Sequence, residues 1–276
     1  MTTALVQRPF DPAPALASIV AHAVPGVETV DGSTVRRVVR FGGEPALVEA
    51  TLLPDRIELR GSAGTPEDLV ALAHSWFGLG DDLDAVHHAF EADPVLGPLV
   101  RARSRLRILG HPDGFEAAMA TVLGQQVSLA AARTFGGRLA AAYGTPGPGG
   151  LIAYPTPDRL ARADAVELQS VVRITHARAR TLHAVADACA RGLTLAPGSP
   201  DARTRLLELP GIGPWTADYL ALRVLGDRDA MPMGDLVLRR ALAVRTATEV
   251  TRLAEQWRPL RAFAAVHLWT ATAYTL

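Results

Sequence analysis

Two glycines separated by one isoleucine, Gly211-Ile212-Gly213, stand between two stretches of helical spacing, residues 201–208 and 215–225. Any fold that contains them must turn the chain back on itself here. Glycine adopts left-handed backbone angles without steric cost and lets the chain pass close to another body. The second helix then opens with backbone amides from Gly213 to Thr216 pointing outward, a positive dipole end suited to a phosphate. An ordinary helix–turn–helix connection shares the glycine spacing. Leu209-Pro210 before it and Trp215-Thr216-Ala217 after it make the segment more specific.

The rest of the chain changes character near Asp113. Before it, residues 12–23 have helical spacing, and residues 35–41, 46–52 and 56–60 read as three short strands. Gly42-Gly43 and Pro54-Asp55 supply turns, which predicts an antiparallel meander. Thr65-Pro66-Glu67-Asp68 opens a helix with a cap and a first-turn proline. After Asp113 the pattern is helical throughout. Asp113 with Glu116 has capping-box spacing, Ser128 caps the next helix and Gly144 ends it. Thr156-Pro157, Asp164 with Glu167, Thr175 and Ser199-Pro200 are further helix starts, and residues 143–152 read as a Gly/Pro-rich loop. The fold expected is α+β and mainly α, with a small antiparallel α/β domain over residues 1–84 and a helical region over 85–276. That region divides into one lobe at 113–226 and a second built from 85–112 plus 227–276.

Composition excludes several chemistries. Apolar residues are 49% of the 276, enough for a real core. The single cysteine, Cys189, rules out an internal disulfide and any zinc or iron–sulfur site built on several cysteines. No apolar run approaches the roughly 18 residues of a membrane span, and residues 1–10 lack a signal-peptide pattern. The expected location is the cytoplasm. All 28 basic residues are arginine, so catalytic, Schiff-base and phosphate-loop lysines are absent together. Net charge is zero, but residues 1–112 hold 10 arginines and 14 acids while residues 113–276 hold 18 and 14. A polyanion should therefore prefer the C-terminal part. His87-His88, His176, His183 and His267 form no metal-ligand pattern and read as surface or core residues. Arg101, Arg103, Arg105 and Arg107 read as a solvated face.

Leu209 to Ala217 resembles the helix-hairpin-helix of base-excision DNA glycosylases, and Gly234-Asp235-Leu236 lies where that superfamily keeps its catalytic aspartate. Phe115 to Ser128, ending Leu123-Gly124-Gln125-Gln126-Val127-Ser128, is similar to the helix and turn that contact the opened duplex. Trp257-Arg258-Pro259 and Val266-His267-Leu268-Trp269 resemble the C-terminal helices. The similarity is to the alkylation-repair, DNA-3-methyladenine glycosylase II type. It implies excision of alkylated purines from double-stranded DNA by base flipping, with no cofactor required. A monomer is expected.

The resemblance implies roles residue by residue. Asp235 would stabilise the oxocarbenium-like transition state and orient water; locally it reads equally as the N-cap of residues 236–242. Asp218, inside a helix, and Asp227 and Asp229, in a loop and expected to be solvated, are its competitors. Gln126 would fill the gap in the base stack; its plain alternative is a buried glutamine capping the turn. Trp215, Tyr219 and Trp269 fall at base-pocket positions, where core packing is the alternative. Gly211, Ile212, Gly213, Thr216, Arg239 and Arg240 would hold DNA, and the carbonyls of Leu207, Leu209 and Ile212 would suit a monovalent cation. Strand-nicking relatives use a hairpin lysine that is Trp215 here, which implies a monofunctional enzyme. Two other functions remain open: a glycosylase for a neutral lesion such as hypoxanthine or an oxidised purine, and a non-catalytic DNA clamp.

Overall fold

The computed structural model describes residues 1–273. The N-terminal part runs β1 (Thr2–Gln7), α1 (Pro12–His22), β2 (Glu28–Asp31), β3 (Thr34–Phe41), β4 (Glu44–Leu52), β5 (Arg56–Gly61) and α2 (Pro66–Phe77). Its sheet has the order β1-β5-β4-β3-β2, antiparallel throughout. The three expected strands are present. β1 and β2 were not anticipated: they are the edge strands, and of their residues only Val6 is buried. Gly42 and Gly43 both have positive φ, 59° and 91°, in the two-residue turn that pairs Phe41 with Glu44. Two such residues match the right-handed twist of the flanking strands. β4 alternates buried and half-buried positions along most of its length, as a one-sided sheet requires.

The helical part comprises α3 (Leu83–Phe90), α4 (Leu96–Ala102), α5 (Gly114–Gly124), α6 (Leu129–Tyr143), α7 (Pro157–Ala161), α8 (Ala165–Val172), α9 (His176–Ala190), α10 (Ala202–Leu207), α11 (Pro214–Leu220), α12 (Leu236–Ala241), α13 (Ala247–Ala254) and α14 (Arg261–Ala273). Thr65, Asp113, Ser128, Thr156, Asp164 and Thr175 cap their helices through their side chains. At Ser199-Pro200 the helix begins later, at Ala202, without a side-chain cap. The segment after α6 is not all loop: Thr145–Pro146 pairs with Ile152–Ala153 in a short ribbon. The helix expected at 215–225 is α only to Leu220; Ala221–Leu225 widens into a π turn that Gly226 closes at φ 75°.

Three large cores account for most of the packing, and Val38, Leu151 and Ala153 form a small fourth cluster. One lies between the sheet and α1 and α2. A second joins α5 to α11 and includes Ile212. The third unites α3, α4 and the π turn with α12 to α14. Arginines stitch them together. Asp113 and Glu116 make only half of the expected capping box, because the Glu116 carboxylate turns inward to Arg37 of β3, 2.6 Å away. Arg37 also meets Glu28 at 3.0 Å, so the sheet is ion-paired to α5. Burial raises the Glu116 carboxyl above its ordinary range, and Arg37 opposes that rise.

The run from Arg101 to Arg107 is only partly a solvated face: Arg101 and Arg105 are exposed, and the other two are not. Arg107 is buried and donates to the carbonyls of Pro9, Gly78 and Asp81 at 2.8, 2.9 and 3.1 Å. Arg103 pairs with Asp11 at 3.2 Å. A planar cation with several donors satisfies carbonyls from two bodies at once. Asp229 is not solvated either, since Arg258 and Arg261 both bind its carboxylate.

His267 is buried in the third core, and desolvation, helped by His87 and Arg103, lowers its pKa from 6.5 to about 4. It is therefore neutral when folded. Its contribution is full above pH 6.5 and is lost as pH falls toward 4, because the unfolded chain takes up a proton that the folded chain refuses. We expect stability to drop by about 1.4 kcal/mol per pH unit from this ring alone across that window. His267→Gln should remove that slope in thermal melts taken between neutral and mildly acidic pH. An acid dependence unchanged by the substitution would show that the ring titrates normally.

Candidate active site

Asp235 caps α12, and this places it. Its Oδ1 accepts the amides of Val237 and Leu238 at 2.9 and 3.0 Å. The same oxygen accepts Nε1 of Trp269 from α14 at 3.1 Å, and Oδ2 accepts Nε1 of Trp215 from α11 at 3.0 Å. The cap reading of Asp235 holds, and the same carboxylate also meets two indoles. Four N–H donors fix the carboxylate, and Oδ2 carries only one of them. The oxygen facing α11 therefore keeps a lone pair for a cation or a water proton. Leu236, 58% exposed, follows at the rim.

Trp215 stacks on Tyr219 with centroids 5.2 Å apart and planes 13° apart, as four-residue helical spacing allows. Tyr219 meets Trp269 at 5.9 Å with a 53° tilt. The structure therefore brings Asp235, Trp215, Tyr219 and Trp269 into one cluster at the junction of two cores. Trp269 is buried; Trp215 and Tyr219 are half-buried. A cleft lined by Pro14, Ser18, Leu109, Arg223, Trp269 and Thr270 adjoins the cluster, so α1 of the N-terminal part forms one of its walls. Asp218 lies apart from this hydrogen-bond set and is bound by Arg203 at 2.7 Å.

The hairpin lies beside this cluster. Gly211 has φ 81°, and a Cβ there would stand 2.0 Å from Oγ1 of Thr181 on α9. A Cβ on Gly213 would meet nothing within 4 Å. The first glycine thus serves the fold and the second leaves the turn open outward. Ile212 and Thr216 bury their side chains, so each can offer only backbone to a partner. Pro214 has no N–H, which reduces the outward donors to Gly213, Trp215 and Thr216. The Leu209 carbonyl accepts the Ile212 amide at 3.2 Å.

Gln126 is exposed with φ 55°, and the capping role imagined for it belongs to its neighbour. Nε2 of Gln125 donates to the Gly211 carbonyl and to Oγ1 of Thr216, both at 3.1 Å. Arg178 donates to the Gln125 carbonyl. The turn that displays Gln126 is therefore fastened to the hairpin. Sequence reading missed Gln125 and Arg178, since two adjacent glutamines look alike. It also missed Arg223, whose place four residues after Tyr219 was a usable signal. Arg240 is exposed, whereas Arg239 is tied back to the Arg245 carbonyl at 2.9 Å. Among the described residues no group of three or more His, Cys, Asp and Glu could hold a metal ion. Burial pushes the Cys189 thiol up to about 12.

Residues 3–113 match the AlkA N-terminal domain family, and residues 119–258 match the HhH-GPD superfamily of base excision DNA repair proteins. The chain is 33% identical to DNA-3-methyladenine glycosylase 2 of Escherichia coli, covering 95% of this chain and 94% of that protein. It is 38% identical to a Mycobacterium tuberculosis protein named "Probable bifunctional transcriptional activator/DNA repair enzyme AlkA" over 96% of this chain, and spans only 55% of that protein's length. A solved 3-methyladenine DNA-glycosylase from Archaeoglobus fulgidus shares the fold at TM-score 0.85 and 19% identity, covering 98% of each chain. A Clostridium acetobutylicum 8-oxoguanine glycosylase/lyase solved with double-stranded DNA shares it at TM-score 0.74 and 17% identity, covering 96% of this chain and 92% of that one. The chain, with its hairpin and its indole-held aspartate, belongs to the HhH-GPD superfamily of base excision DNA repair proteins.

Proposed function

We propose that this chain is a monofunctional DNA glycosylase that hydrolyses the N-glycosidic bond of alkylated purines in double-stranded DNA and leaves an abasic site. The observation that carries the reading is Asp235, held by two indoles and a helix start beside an outward-facing hairpin. The names of the E. coli and M. tuberculosis relatives support it. Base flipping costs a few kcal/mol, less at a damaged base. The amides of Gly213, Trp215 and Thr216 and the exposed Arg240 would hold phosphates, and Gln126 on its fastened turn would fill the gap in the stack. As the bond to the base lengthens, positive charge grows on the sugar, and the free lone pair of Asp235 Oδ2 faces that charge and orients the attacking water. The sequence holds no lysine for a Schiff base, which supports hydrolysis without strand cleavage. A non-catalytic clamp would need neither the carboxylate nor the aromatic row.

The wider reading is a monomer acting in the cytoplasm with no cofactor required. A monovalent cation would sit on the carbonyls of Leu207, Leu209 and Ile212. One lone pair at Leu209 is already used by Ile212.

Base release from methylated duplex DNA tests the proposal. Wild type should free methylpurine, with strand breaks only after alkali. Asp235→Asn should cut the rate by roughly 10²–10³ while folding normally, because asparagine also caps helices. No release by folded, DNA-binding wild type would overturn the reading. The two glycines give a second test. Gly211→Ala should cost about 1–3 kcal/mol of stability, whereas Gly213→Ala should melt like wild type and bind duplex more weakly. Equal DNA affinity for Gly213→Ala and wild type would remove the hairpin from the interface.

A further inference from the structure

The last turn of α1 carries a titratable ring that the reaction above does not use. Nδ1 of His22 meets the Ser18 carbonyl at 2.7 Å. A carbonyl only accepts, so Nδ1 holds the proton of the neutral ring and Nε2 is left with its lone pair. The residue is exposed. Beside it, Nε of Arg133 on α6 donates to the Ala23 carbonyl at 2.8 Å and fastens the end of α1 to α6. Arg133 is exposed as well, and its two terminal nitrogens make no hydrogen bond among the described residues. The charged groups around the ring are Arg133, Arg223 of the π turn and Glu28 of β2. Glu28 is committed to Arg37 and the Val24 amide, and Arg223 to the Leu109 carbonyl. Crowding by the surrounding protein strips water from the ring and lowers its pKa. Arg223 and Arg133 act in the same direction, while the Ser18 carbonyl and Glu28 oppose it. The free protein thus holds a neutral imidazole next to an uncommitted guanidinium.

This pair lies at the end of an open stripe. Gln126, Leu129, Ala130, Arg133 and Thr134 are all exposed, so the stripe runs from the Gln126 turn along the first turns of α6 to α1. We propose that His22 and Arg133 together bind a phosphate of the DNA backbone near the flipped nucleotide, which makes the N-terminal part a component of the DNA interface. The inference rests on the glycosylase reading above. An exposed guanidinium fixed through Nε presents its other donors in one plane, a geometry that suits phosphate oxygens. A phosphate brought there adds negative charge beside the ring, offsets the two arginines and draws a proton onto Nε2, which then donates to the anion. The complex therefore holds one proton more than the free protein, and affinity rises as pH falls. A cationic base would be repelled by the same pair, whereas a phosphate is attracted by it.

The test is equilibrium binding, by fluorescence anisotropy, to a duplex with a stable abasic-site analogue. Wild type, His22→Gln and Arg133→Gln are compared at about pH 6 and about pH 8 over a range of salt. On going to the lower pH, wild type should gain about threefold more affinity than His22→Gln. Arg133→Gln should reduce the slope of log affinity on log salt by about one. The slope separates phosphate contact from anchoring, because loss of the Ala23 contact alone leaves it unchanged. The same pH dependence in wild type and His22→Gln overturns the site, and so does an unchanged salt slope for Arg133→Gln. Excision of methylpurine by wild type is scored in parallel. No release fails the glycosylase reading itself, whereas release together with either of those two results fails only the phosphate site.

Discussion

A carboxylate that accepts four N–H groups can organise several helices around one point, and Asp235 does so. The two amides at the start of α12 set its backbone position. The indole of Trp215 brings in α11, and the indole of Trp269 brings in α14. Because α11 packs into one helical core and α14 into another, the carboxylate spans the boundary between them. The cap is local and cheap to form; the indole contacts need both cores to be in place. The geometry of the site is therefore a product of tertiary assembly, while its position in the chain is set by helix chemistry.

The same division separates what the sequence disclosed from what it did not. Caps at Thr65, Ser128, Thr156, Asp164 and Thr175 were legible because a cap and its amide lie within one turn. The Gly42-Gly43 hairpin was legible for the same reason. Glu116 was misread because its partner, Arg37, lies far away in sequence. Arg107 was misread because alternating arginines look solvated until the three carbonyls that surround one of them are assembled. β1 and β2 lacked the apolar alternation that marks a half-buried strand, being edges. At the site, Asp235 and the aromatic trio stood out by resemblance. What could not be read is that the aromatic N–H groups point at the carboxylate.

The hairpin and the Gln126 turn show how neighbouring residues divide labour. Gln125 spends its side chain on Gly211 and Thr216, and its carbonyl on Arg178. Gln126 takes a left-handed backbone with an exposed side chain. The cost of φ 55° at a non-glycine residue is offset by the contacts on either side of it. A displacement of the hairpin would thus move the Gln126 turn with it, since hydrogen bonds and not a flexible linker join them.

An arginine-only set of cations has a consequence for how charge is counted. Guanidinium stays ionised when buried and offers several donors in one plane, so it can serve as an internal strut where an ammonium could not. Arg37, Arg107, Arg203, Arg223 and Arg261 are all used in this way. Ten arginines after residue 112 are exposed, among them Arg162, Arg173, Arg180, Arg240, Arg245 and Arg252. Struts such as Arg203 and Arg261 cancel against the carboxylates of Asp218 and Asp229, so the excess of positive charge after residue 112 is carried by other arginines. The field at the surface comes from the exposed subset together with the outward amides of the hairpin. Phosphate contact would then rest on placement around Gly213 and not on net charge, which is why a chain of zero formal charge is compatible with a polyanionic partner.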